Sequence, residues 1–136
     1  MKVKFNVKAD EPNGNGVVFT KEALRNAFKE YVKVQVEEDK AVGQLGQPKH
    51  DDIELHKSAF LVKEINEVDN DYVGDIEIIG TPSGEELKKI IEDAENFRIV
   101  TFGFGHTSKS DEDENITIVD NYVITSVGIE PKENCA

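Results

Sequence analysis

Residues 2–7, "KVKFNV", alternate polar and apolar with Val3, Phe5 and Val7 on one side, and a period of two predicts a strand. "DEPNGNG" (10–16) breaks any regular element, because its glycines, asparagines and proline favour turns. The period then changes. Leu24, Ala27, Phe28, Tyr31 and Val32 recur at helical spacing, with Thr20 as N-cap and Phe19 placed to staple onto Leu24. A second helix is expected in "TPSGEELKKIIEDAENF", opened by a Ser83/Glu86 capping box and buried through Leu87, Ile90, Ile91 and Ala94.

The remaining apolar runs read as strands: 58–68, 72–79, 97–106, 116–122 and 123–130. "DND" (69–71) makes the first two a hairpin, and "SKSDEDEN" (108–115) is a solvated hairpin tip whose like charges repel one another into water. The glycines of "GFGH" (103–106) fit a bulge or bend in a curved strand, since no helix follows to form a phosphate loop. Strands that mostly follow one another directly imply an α+β fold: a largely antiparallel β-barrel or sheet with two packed helices. With no repeat or linker, residues 1–136 form one domain.

Composition narrows the partners. A net charge of −12 argues against nucleic acid, which demands a basic surface. No apolar run approaches the roughly 20 residues of a membrane helix. Cys135 is the only cysteine, so no internal disulfide forms.

Residue chemistry alone gives little. "HDDIELH" gathers His50, Asp51, Asp52, Glu54 and His56, side chains able to ligate a divalent cation, and a strand-like Ile53–His56 would put Glu54 and His56 on one face. Their spacing matches no known ligand pattern, and a polar loop explains them equally well. Hydroxyls at Thr101, Ser108, Ser110 and Ser126 lack an evident base and orienting group. No cofactor motif is present.

The order of segments, however, resembles the prohead maturation proteases of tailed phages, of the T4-like type, related in fold to the herpesvirus assemblins. The resemblance spans roughly residues 5–130. "VVFTKEALRNAFKEYV" is similar to the family's loop-to-helix lead-in. "GQLGQP" (43–48) matches its Gly-Glu-Leu-x-His-Pro, and "FRIVTFGFG" its Val-Ser-Ser-Arg-Gly-x-Gly. "DNYVITSVGIEP" is similar to its closing strand.

The resemblance implies a Ser–His site, and here the sequence departs from it. The catalytic histidine falls on Gln47, and the nucleophilic serine on Thr101, or on Val100 if the register slips by one. A glutamine amide takes up no proton near neutral pH, and a threonine hydroxyl without a base stays protonated. Phe102 adds bulk beside that position, and the third triad member has no evident counterpart. His50 and His106 are the histidines within a few residues available to substitute as base. The chain also closes at "KENCA", just after the last strand, where family members carry further sequence.

The expected function is therefore non-enzymatic. It is a pseudoprotease redeployed as an auxiliary or decoration protein on the capsid surface of the virion, assembled in the host cytoplasm. It would hold the major capsid protein as partner, self-associate on the capsid lattice, and contact neither nucleic acid nor membrane. The exposed "VKADEPNGNGVVF" is the first docking candidate. The alternatives are an active maturation protease using Thr101 with His50 or His106, and a small cation-binding module built on His50, Asp52, Glu54 and His56.

Overall fold

The computed structural model describes residues 1–135. Strands β1 (Lys2–Lys8) and β2 (Val17–Phe19) precede helix α1 (Lys21–Tyr31), which runs on as a π-helical segment, Val32–Val36. Then come β3 (Val42–Leu45), β4 (Ser58–Val68), β5 (Asp71–Ile78), α2 (Pro82–Ile90), β6 (Phe97–Lys109) and β7 (Thr117–Pro131). Strand order β2-β7-β3-β4-β5-β1-β6, with β6 also paired to β7, closes six strands into a barrel and leaves β2 on the flank of β7. The expected α+β barrel is what forms.

Antiparallel pairing dominates in β3/β4, β4/β5, β1/β5 and the long β6/β7 ladder. The contacts β1/β6, β2/β7 and β3/β7 are parallel. Alternation sends Val3, Phe5, Val62, Ile76, Ile99, Val127 and Ile129 inward, each almost fully buried. The Thr20 hydroxyl caps α1 by accepting from Ala23 N at 3.1 Å, worth about 1 kcal/mol. From α1, Phe28 stacks on Tyr72 of β5 and meets Phe5 of β1 edge-on, with ring centroids 4.2 and 4.9 Å away. Phe19 makes an edge-on pair with Tyr122.

Several expectations need correction. The cap of α2 is Thr81, whose hydroxyl accepts from Gly84 N and donates to the Ser58 carbonyl; Ser83 instead donates to the His56 carbonyl at 3.1 Å. Pro82 decides this, because its fixed φ and missing N–H suit the first helical position. The helix ends at Ile90; Leu87 and Ile91 are buried as expected, whereas Ile90, in its last position, is 46% exposed. Residues 116–122 and 123–130 are one strand kept continuous across bulges opposite Phe102/Gly103 and His106/Thr107. Leu55–Lys57 forms a 3-10 turn rather than strand. The short strands β2 and β3 were hidden in a helix lead-in and a motif.

Candidate functional site around Gln47 and the β6–β7 ladder

Strand β3 is followed by Gly46, whose φ of 99° turns the chain back over the outside of the sheet. Three contacts hold this return. Gln44, only 2% exposed, donates through Nε2 to the Gln47 carbonyl and accepts from Glu54 N through Oε1, both at 3.1 Å. Ser126 Oγ donates to the His50 carbonyl at 2.6 Å. Gly128 supplies the room, since a Cβ there would lie 2.1 Å from Gly46 O and 2.8 Å from Pro48 Cδ. The loop therefore rests on the outer face of β7, with Gln47 and His50 exposed and Pro48 buried.

The faces of β6 follow from its register. Ile99 pairs with Ile129 and Thr101 with Val127, all on the core side; Val100 pairs with Gly128 and Phe102 with Ser126, on the outside. Gln44 also pairs with Gly128, so Gln44, Gly128 and Val100 form one row across three strands on the outer face. Thr101 points the other way, its hydroxyl 3.1 Å from the Tyr122 hydroxyl. Burial pushes the Tyr122 phenol up, with a smaller opposing pull from the Thr101 hydrogen bond, so this partner stays a neutral phenol.

The Gln47 loop thus packs against Gly128 on the outer face, which Val100 shares, rather than on the face that carries the Thr101 hydroxyl. His50 is tied through its backbone carbonyl to Ser126, which pairs with Phe102. His106 is remote: five residues along a strand span roughly 16 Å, and its Nδ1 sits 2.8 Å from Asp120 Oδ1 on the exposed hairpin. The proposed cation ligands separate as well. Glu54 pairs with Lys57 at 2.9 Å, and that contact lowers its carboxyl pKa. Asp51 meets the Thr125 hydroxyl at 3.2 Å. Among the described residues, no group of three or more His, Cys, Asp or Glu side chains is arranged to hold a metal. Gln44 and Tyr122, which help organise the site, were not singled out from sequence, and Ser126 was named there only as a hydroxyl without a base. Only Gln44 left a signal, as a polar residue inside the "GQLGQP" motif where the resemblance places a glutamate.

The model of the prohead core protein serine proteases matches residues 4–131. The chain belongs to that family. Among solved structures, the capsid assembly protease of bacteriophage T4 is similar in fold. Its TM-score is 0.81 at 22% identity, over 94% of this chain and 79% of that one. No curated protein matches.

Proposed function

We propose that this prohead-protease family member acts without cleaving peptide bonds, as an auxiliary protein bound to the capsid surface. The observation that carries this reading is the separation of the would-be catalytic groups. The loop face offers an amide at Gln47 and a methyl-bearing Val100, while the one hydroxyl of the motif, on Thr101, bonds Tyr122 on the opposite face. A nucleophile and base must meet at hydrogen-bond distance, and an error of 1 Å is already costly. The charge of −12 suits a surface turned away from packaged DNA. The partner under this reading is the major capsid protein, and repeated copies would sit on its lattice.

A second reading is favoured by family membership itself: an active maturation protease in which His50, already beside Ser126, serves as base. Mass spectrometry of purified mature particles separates the two. An intact chain abundant relative to major capsid protein supports the auxiliary role. Its absence from particles whose capsid protein has been processed supports the protease.

A further inference from the structure

The underside of α1 carries a feature that the catalytic motifs do not explain. Lys21, Arg25, Lys29 and Lys33 recur every four residues and form a cationic ridge in a chain with 16 Lys and Arg against 28 Asp and Glu. Below the ridge, α1 and the β4–β5 hairpin enclose a groove of about 550 Å³. Its floor is apolar, made by Phe28, Val32, Ile65 and Tyr72. Arg25, Lys29 and Lys33 form one wall.

One end of the groove is locked. Arg25 forks onto Glu67, with Nε 3.0 Å from Oε1 and Nη2 3.1 Å from Oε2, and the Tyr72 hydroxyl donates to Oε1 at 2.7 Å. That network ties helix to sheet, so the groove is already shaped before anything enters it. The other two cations are unspent: among the described residues, Lys29 and Lys33 make no salt bridge. Both are exposed. Glu37 also lines the groove.

We infer that this groove docks an acidic amphipathic helix of a partner protein. Apolar side chains spaced i, i+3/i+4 and i+7 would enter the floor, and carboxylates flanking them would face Lys29 and Lys33. Charge complementarity selects this occupant. The surrounding surface repels an acidic segment, so the ridge both attracts the helix and fixes where it lands. A basic helix would meet the like charges of Lys29 and Lys33.

The test is a ¹⁵N NMR titration of the full chain with a synthetic 18-residue helix, leucine on one face and glutamate on the other. Expected are shifts confined to α1 and β4–β5, affinity that weakens as salt rises, and at least a tenfold loss in Lys29→Glu/Lys33→Glu. The variant's own spectrum verifies that it is folded. A lysine-for-glutamate version of the peptide should not bind. The inference is overturned if the acidic peptide does not bind, if shifts fall elsewhere, or if the variant binds equally well. It is also overturned if phosphatidylglycerol vesicles occupy the groove and the peptide does not.

Discussion

The Thr101 hydroxyl and the Tyr122 hydroxyl meet 3.1 Å apart on the core side of β6, while the loop bearing Gln47 lies over the outer side. This relationship weighs more than the identity of residue 47. A base placed at position 47 would lie across the sheet from the Thr101 hydroxyl. Gln47→His alone is therefore expected to show no labelling by a fluorophosphonate probe, and Thr101→Ala no change from wild type. Gln47→His/Val100→Ser puts both groups on one face, and slow labelling should appear in that double variant. Labelling of the wild-type chain that Thr101→Ala abolishes would refute the arrangement of faces.

Gly128 is expected to be intolerant. Its missing side chain is what admits the Gly46–Pro48 backbone, so Gly128→Ala must push either the loop or β7. Overpacking of this kind costs about 1–3 kcal/mol, which for a chain of this size lowers Tm by roughly 3–12 °C. Thermal melts by circular dichroism read it directly; an unchanged Tm would mean the loop is not held against β7.

Gln44→Ala removes both amide contacts of the loop at once and leaves the Gln47 carbonyl and Glu54 N–H in search of partners. A loss of about 1–3 kcal/mol is expected. Hydrogen exchange should quicken in residues 47–54 more than in the β4–β5 hairpin. Uniform acceleration across the barrel would show that Gln44 supports the whole fold rather than the loop.

The Glu67 carboxyl is held down to about 2 from its ordinary 4.5, first by the Arg25 hydrogen bond and then by that of Tyr72. A depressed acid contributes stability that is fully present above its unfolded value and disappears as pH falls through its folded one. Wild type should therefore exceed Glu67→Gln in urea midpoint above about pH 4.5, and the gap should narrow as the pH falls toward 2. A gap independent of pH would assign the effect to packing.

The dispersal of His50, Asp52, Glu54 and His56 leads to a plain expectation for metals. Zinc, calcium and chelator should each leave Tm within about 1 °C, because a ligand bound only by the folded state would raise it. A rise with either ion would reopen the cation reading.

Sequence carried the barrel well where one face of a strand is buried. Val3/Phe5 and the β4–β5 alternation are visible because solvent and core impose opposite chemistry on neighbouring residues. It failed where pairing was short or bent. β2 has three residues, and β7 crosses two bulges that shift its alternation midway, so a period count splits it. Ser83 was a plausible cap from spacing alone, and only the fit of Pro82 to the first turn moves the boundary to Thr81. At the site, the motif positions could be read but their sidedness could not. Which face Thr101 takes depends on its register with Val127, a strand more than twenty residues away.

β7 touches β6 along its length, β2 near its start and β3 near its end. Until residues 117–131 exist, then, β2 and β3 each lack a neighbour and the ring stays open. During synthesis the ribosome must deliver residues through 131 before the barrel can shut, and sequence-distant pairing of this kind folds slowly. An unclosed intermediate would show the bare edges of β3 and β6 to other nascent chains, making association before release the hazard that this architecture carries.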